Sequence, residues 1–144
     1  MPKLKGILFD LDGTLALTQK YHYQAYAAIF QKYGLHYTTE DDITKYAGAG
    51  SALTFELFFK ANGQTITPAQ AEQYVQEKNA LYDQILADAK IEPTPGILEF
   101  LKKMHAEKII MAVATGNRLE PTNNILKRIG IAEYFQAILS SKDK

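Results

Sequence analysis

The sequence predicts an α/β fold in which a parallel sheet is covered on both faces by helices and interrupted by a helical insertion. Two short apolar runs, Gly6 to Asp10 and Lys108 to Ala114, are typical of buried strands, and Phe135 to Leu139 is a weaker third. Helical periodicity fills Gly96 to Ala106 and Arg118 to Ile129, on either side of the second run. Alternation of strand and helix favours a parallel sheet.

The ends of these elements carry local signals. The first run stops at Asp12 and Gly13, and the second stops at Thr115, Gly116 and Asn117. The helix that follows has Pro121 in its first turn and Gly130 at its end, which are favoured positions for these two residues.

Between about Thr18 and Lys90 the pattern changes, because no strand-like run occurs there. We expect an α/β core at residues 1–16 and 92–144, with a helical insertion at 17–91. Its helices are predicted at Gln19 to Tyr33, at Ala52 to Ala61 with Ser51 as N-cap, and from a capping box at Thr67, Pro68 and Gln70 to about Ala89.

Composition excludes several classes of function. The 144 residues include 16 Lys and Arg and 16 Asp and Glu, so no broad basic field is available to bind nucleic acid. There is no cysteine, which excludes disulfides and thiolate metal sites. The apolar runs are too short to span a membrane, and the N-terminus lacks a secretory signal. A cytoplasmic location is the default expectation.

Asp10 and Asp12 follow the first strand directly, and ligands of open α/β sheets bind at the carboxyl ends of the strands. One carboxylate of such a pair can attack phosphorus while the other, protonated, serves the leaving oxygen. Because an anionic nucleophile is repelled by phosphate, a hard cation such as Mg²⁺ is expected there. Gly13 permits the tight turn. An ordinary polar turn would explain the same residues.

Thr115, Gly116 and Asn117 favour the chemical interpretation, because a hydroxyl and backbone N–H groups at a neighbouring strand end suit a phosphate oxygen.

These two segments resemble the first two motifs of the haloacid dehalogenase-like superfamily: FDLDGTL from Phe9 to Leu15 and VATGN from Val113 to Asn117. The insertion and the segment PGILEFL, from Pro95 to Leu101, are most similar to the β-phosphoglucomutase and phosphoglycolate phosphatase branch. The resemblance implies a Rossmann-like, three-layer core with a helical cap, and Mg²⁺-dependent hydrolysis of a small phosphomonoester.

The resemblance also implies roles for individual residues. Asp10 would form an aspartyl-phosphate and bind Mg²⁺. Asp12 would be the general acid and base, and its main-chain carbonyl would face the metal. Thr115, Gly116 and Asn117 would bind the phosphoryl group.

His22 and Lys78 are the candidate substrate contacts in the insertion. His22 shares a helical face with Ala25 and Tyr26, and Lys78 falls within an apolar stripe, where an unpaired lysine is rare. The mutase branch has a histidine at the first position and a lysine followed by asparagine at the second. A partly buried structural histidine and a lysine that extends to solvent are the alternatives.

Two departures from the family pattern limit these expectations. No arginine occurs near Gly48 to Ala52, where the mutases hold a second phosphate, so a phosphatase is favoured over a sugar-phosphate mutase. The lysine of the third motif and the acidic metal ligands of the fourth are not recognised. Lys142 and Lys144 lie near the expected lysine but are not assigned to it.

We therefore expect a chain truncated before those two motifs, whose catalysis is impaired in isolation. The first strand would then form an open sheet edge capable of self-association. A non-catalytic interaction module is the corresponding alternative.

Overall fold

The computed structural model describes residues 3–141, which form two compact units. One unit is built from the described residues up to Gln19 and from Lys90 onwards, and the other is Lys20–Ala89. Lys142 and Lys144, considered above for the third motif, lie outside the described residues. None of the helices described is long and apolar enough to cross a bilayer.

The first unit contains a three-stranded parallel sheet in the order β1-β2-β3. Its strands are β1 (Gly6–Phe9), β2 (Ile110–Arg118) and β3 (Ala137–Ser141). The predicted parallel α/β fold is confirmed. The third strand begins two residues later than predicted, because a short 3₁₀ helix at Ala132–Tyr134 precedes it.

Two helices connect these strands, α4 (Ile97–Ala106) before β2 and α5 (Leu119–Arg128) between β2 and β3. The ring of Phe9 makes edge contacts with Phe100 of α4 at 6.2 Å and with Phe135 at 5.9 Å between centroids. These contacts place apolar side chains of the crossover segments against the buried face of the sheet.

The two faces of the sheet differ in exposure. Met111 and Val113, whose register partners are Ile7 and Phe9, are completely buried. On the opposite face, Leu8, Ile110 and Leu139 are each about 60% exposed, at 61%, 60% and 60%. Parallel sheets are normally buried on both faces. Within residues 3–141, therefore, one apolar face of this sheet has no cover.

The second unit is helical, with α1 (Gln19–Lys32), α2 (Ser51–Ala61) and α3 (Pro68–Asp88) and a short π-helix at Asp41–Lys45. The capping box predicted to open α3 is present, because Thr67 accepts from the Gln70 N–H and the Gln70 side chain accepts from the Thr67 N–H.

The prediction that Ser51 caps α2 is wrong. Ser51 is the first helical residue, the N-cap is Gly50, and the Ser51 hydroxyl accepts a hydrogen bond from the Tyr26 hydroxyl at 2.8 Å. Gly50 has a φ of 82°, which is readily adopted only by glycine.

Aromatic rings form the core of the helical unit. Phe30 is completely buried, and its ring centroid lies 4.4 Å from that of Phe58 and 5.1 Å from that of Phe55. Tilted ring pairs at such distances are favourable beyond their burial. The cluster as a whole comprises Tyr26, Ile29, Phe30, Tyr37, Phe55, Phe58, Phe59 and Tyr74.

The chain leaves and re-enters the α/β unit along two paired segments. The Leu17 N–H donates to the Glu92 carbonyl at 2.9 Å, and the Thr94 N–H donates to the Leu15 carbonyl at 3.0 Å. Ala16 and Pro93 form an antiparallel bridge between them. These contacts fix the backbone immediately after the turn that follows β1.

Candidate active site

Asp10 and Asp12 follow β1 and begin a tight turn. The Leu11 N–H donates to Oδ1 of Asp10 at 2.8 Å, which orients that exposed carboxylate. The Leu11 carbonyl accepts from the N–H groups of the three residues from Thr14 to Ala16. Gly13 has a φ of 82°, so the turn favours glycine at this position. The turn therefore holds two carboxylates two residues apart at the carboxyl end of the strand.

Thr115, Gly116 and Asn117 lie at the carboxyl end of the neighbouring strand. The Asn117 N–H donates to the Thr115 hydroxyl oxygen at 3.1 Å, and the Arg118 N–H donates to Oδ1 of Asn117 at 2.8 Å. Strand β2 continues to Arg118, beyond the predicted end at Ala114. Its pairing with β3 is irregular between Ala114 and Arg118. The irregularity therefore coincides with the polar segment from Thr115 to Asn117.

Asp12 and Asn117 connect the two strand ends. Nδ2 of Asn117 lies 3.4 Å from Oδ2 of Asp12, across 105 residues of sequence, and Asn117 is only 8% exposed. Because Asn117 also donates to Thr115, the structure brings Asp12, Asn117 and Thr115 into one connected group. A long buried amide contact of this kind orients the side chains at both strand ends.

Sequence reasoning missed Thr18 as a member of this group. Its hydroxyl donates to Oδ1 of Asp12 at 2.6 Å, and the residue is completely buried. Thr18 was interpreted only as the start of the helical insertion. A hydroxyl residue six positions after an aspartate gives no periodic signal, so only the turn geometry reveals the contact.

His22 and Lys78 lie together in the helical unit, on α1 and α3. Nζ of Lys78 is 3.2 Å from Nδ1 of His22, and Lys78 is only 3% exposed. The alternative that Lys78 extends to solvent is therefore excluded. A protonated Lys78 would donate to Nδ1 of His22, because an ammonium group can only donate.

Aromatic rings surround this pair. Nζ of Lys78 lies 4.7 Å from the ring centre of Tyr26 and 5.1 Å from that of Tyr82, and the ring of His22 stacks on Tyr82 at 4.2 Å. Burial raises the pKa of the Tyr26 hydroxyl, which stays neutral and donates to Ser51. Cation–π contacts and the imidazole thus stabilise a buried cation. Contact of either residue with substrate stays a prediction.

Comparisons with known proteins agree with this architecture. The model of the haloacid dehalogenase-like hydrolase family matches residues 7–144. Similar curated proteins include the fructose-1-phosphate phosphatase YqaB of Escherichia coli, 26% identical over 94% of this chain, and the β-phosphoglucomutase of Bacillus subtilis, 27% identical over 94%. A phosphoglycolate phosphatase of Caulobacter vibrioides is 27% identical over 94% of the chain.

The chain spans 69%, 60% and 56% of the lengths of these three relatives. Among solved structures, β-phosphoglucomutase from Clostridium difficile matches 99% of this chain with a TM-score of 0.86 at 20% identity. CbbY from Rhodobacter sphaeroides matches 99% with a TM-score of 0.81 at 22% identity. The chain covers 64% and 65% of these two structures, which establish the fold. With a family match over nearly its whole length, the chain belongs to the haloacid dehalogenase-like hydrolases.

Proposed function

We propose that the protein is a Mg²⁺-dependent phosphomonoester hydrolase that acts through an aspartyl-phosphate intermediate on a small phosphorylated metabolite. The observation that carries the proposal is the contact of Asp12 with Asn117, which joins the carboxylates after β1 to the hydroxyl and amide groups after β2. The phosphatases among the similar proteins support the reaction class. A cytoplasmic location stays part of the proposal.

Asp10 is the proposed nucleophile. Its Oδ1 accepts from the Leu11 N–H, and Oδ2 would be the oxygen that attacks phosphorus. Attack forms the bond from Oδ2 to phosphorus and breaks the bond from phosphorus to the alcohol oxygen, which takes a proton from Asp12. Water then attacks phosphorus and gives a proton to Asp12, so that Asp10 is released as a carboxylate and inorganic phosphate departs.

Thr115, Gly116 and Asn117 are the proposed contacts to the phosphoryl oxygens. The Thr115 hydroxyl already accepts from Asn117, so its own proton is directed elsewhere and can be donated. Gly116 is exposed, and a Cβ built on it would meet no atom within 4 Å. A phosphate oxygen can therefore approach this backbone closely, as donors of a transition-state site require.

The donor set is compatible with Mg²⁺. This ion prefers oxygen ligands and is commonly held by one or two carboxylates together with substrate phosphate and water. The carboxylate of Asp10 and the main-chain carbonyl of Asp12 would supply such oxygens, although no group of three or more metal-binding side chains occurs within residues 3–141. When bound, the cation would offset the charge repulsion between the nucleophile and the phosphate.

His22 and Lys78 are the proposed substrate contacts of the helical unit, for which the name cap is retained as a proposal. When protonated, the buried amino group of Lys78 would attract an anionic substrate, and the neighbouring imidazole of His22 would offer a further hydrogen bond to it. The proposed binding partner is therefore a small anionic molecule. Neither nucleic acid nor a membrane surface is part of this proposal.

A sugar-phosphate mutase of the same family is the second candidate. Similarity to the Bacillus subtilis β-phosphoglucomutase favours it, whereas the lack of an arginine near Gly48 to Ala52 argues against retention of a second phosphate. Product analysis separates the two, because a mutase interconverts phosphate positions and releases no inorganic phosphate.

The test of the proposal is substitution of Asp10 in the full-length protein. Asp10→Asn is expected to abolish Mg²⁺-dependent release of phosphate from an aryl phosphate, and to remove the phosphoenzyme that hydroxylamine traps from the unsubstituted protein. Asp88→Asn, at the exposed end of α3, is the matched control and should retain both. Near-normal turnover by Asp10→Asn would overturn the mechanism.

A further inference from the structure

The contact between Thr18 and Asp12 is the shortest polar contact described at the candidate site. The Thr18 hydroxyl lies 2.6 Å from Oδ1 of Asp12, and Thr18 has no exposed surface. Hydrogen bonds from a hydroxyl to a carboxylate are shorter and about twice as strong as neutral ones. Loss of such a bond would leave an oxygen of the partly buried Asp12 carboxylate without this donor.

The backbone holds Thr18 in place from both sides. On the N-terminal side, the Gly13 N–H donates to the Ala16 carbonyl at 2.8 Å and the Leu17 N–H donates to Glu92 at 2.9 Å. On the C-terminal side, α1 begins at Gln19. Thr18 therefore occupies a fixed position, and its hydroxyl limits rotation of the Asp12 carboxylate.

The two oxygens of Asp12 are engaged by different donors. Oδ1 accepts from Thr18 and Oδ2 lies 3.4 Å from Nδ2 of Asn117. The Asn117 contact is long and the Thr18 contact is short, so Thr18 contributes more to the orientation of the carboxylate. The orientation of a general acid matters because a displacement of about 1 Å can reduce a rate about 100-fold.

We infer that Thr18 is a positioning residue that orients Asp12 for proton transfer. The inference rests on the proposed phosphatase function. Thr18 itself does not contact the reacting atoms in this assignment. Its hydroxyl fixes the torsion of the carboxylate, and a side chain of the same shape without the hydroxyl cannot do so.

The test compares Thr18→Val, which keeps the shape, with Thr18→Ser, which keeps the hydroxyl. Thr122→Val is the matched control, because Thr122 is also completely buried in the α/β unit and its hydroxyl donates to a main-chain carbonyl, that of Arg118, at 2.7 Å. We expect Thr18→Val to lower kcat for an aryl phosphate about 100-fold with little change in KM, whereas Thr18→Ser and Thr122→Val stay within about threefold.

Two further measurements separate positioning from folding. Urea unfolding should give similar midpoints for Thr18→Val and Thr122→Val. In the metal-free protein, the Thr18 hydroxyl proton should give a slowly exchanging NMR signal that disappears in Thr18→Val and shifts in Asp12→Asn. This signal reports the hydrogen bond without any dependence on activity.

The outcomes also separate this inference from the proposed function. If the unsubstituted protein turns over aryl phosphate and Thr18→Val matches its kcat, the positioning role is overturned and the phosphatase stands. A loss of kcat in Thr18→Ser as large as that in Thr18→Val would also overturn it. These kinetic comparisons use the full-length protein, as does the test of Asp10. If that protein releases no phosphate, the proposed function fails first and the inference fails with it.

Discussion

Nζ of Lys78 lies 3.2 Å from Nδ1 of His22 and contacts the rings of Tyr26 and Tyr82 in the helical unit. A buried lysine is costly unless its charge is compensated. Here an imidazole nitrogen and the faces of Tyr26 and Tyr82 supply the compensation. Because burial of a charged lysine is costly in free energy, Lys78 is a good candidate for recognition of an anion.

Lys78→Met should therefore separate stability from substrate affinity. Methionine fills a similar volume without charge, so the free energy of unfolding should stay constant or rise. If Lys78 binds the substrate anion, KM should increase about 10-fold or more, the effect of losing a charged hydrogen bond of about 1.5–3 kcal/mol. Lys32→Met removes an exposed lysine paired with Glu77 and is the matched control. Equal KM values in both variants would argue against substrate contact by Lys78.

The contact between Thr38 and Asp41 predicts a pH-dependent contribution to stability. Hydrogen bonds from Lys45 and then from Thr38 lower the pKa of Asp41 below its ordinary value. Because the pKa is lower in the folded state, the contribution is present above the unfolded pKa of about 3.9 and is lost as pH falls through the folded pKa.

Asp41→Asn should reduce the free energy of unfolding at pH 7 by about 1 kcal/mol, as for loss of a helix-capping contact. The difference from the unsubstituted protein should shrink in urea titrations as the pH is lowered below about 3.9. Asp88→Asn serves again as the exposed control. A difference that is constant from pH 7 to pH 2.5 would exclude an ionised Asp41 as its source.

Phe30 should dominate the stability of the helical unit. Its buried ring contacts those of Phe55, Phe58 and Phe59. Phe30→Ala should lower the free energy of unfolding by about 3–5 kcal/mol, the usual effect of removing a buried aromatic ring. Leu53→Ala, on the exposed side of α2, should cost about 0.5 kcal/mol or less by the same chemical denaturation. Similar losses in the two variants would contradict the assigned core.

The uncovered sheet predicts self-association of this 144-residue chain with a second copy through β1. Within residues 3–141, β1 forms one edge of the sheet and Leu8 is 61% exposed. An open, apolar strand edge is a template for pairing with another strand. Antiparallel pairing of β1 with its copy would place apolar residues of both sheets on one continuous face.

Leu8→Lys should therefore shift sedimentation velocity profiles toward the monomer, because a charge on an edge strand opposes pairing. Leu57→Lys, on exposed α2 surface, should leave the profile unchanged. A monomer at every concentration in the unsubstituted chain would remove the basis of this proposal, and of the interaction-module alternative.

Much of this architecture could be predicted because the signals are local. The capping box at Thr67 and Gln70 and the apolar stripe around Lys78 are readable from spacing alone, and the structure has both. The same spacing joins Thr38 to Asp41, the first residue of the π-helix, and the two exchange hydrogen bonds, but this short segment is not among the elements predicted from the sequence. A search for hydroxyl and acidic residues three apart would have found it.

The contacts of Asp12 could not be predicted in the same way. Asn117 was assigned to the site from its strand end, yet its distance from Asp12 depends on sheet register and on the irregular end of β2. The contact of the Thr18 hydroxyl with Asp12 depends on the way in which the turn after Asp12 reverses the chain. Neither the register of the sheet nor the geometry of the turn can be read from the periodicity of a short segment.

The paired segments around Ala16 and Pro93 bring the chain's exit from the α/β unit beside its return. The segment between them, Lys20–Ala89, therefore starts and ends at neighbouring positions of the chain's α/β unit, and neither position belongs to the register of β1 with β2. With this arrangement, the whole helical segment and any substrate selectivity that it provides can be exchanged during evolution, while Asp10 and Asp12 are kept. Protein engineers can graft at the same junction.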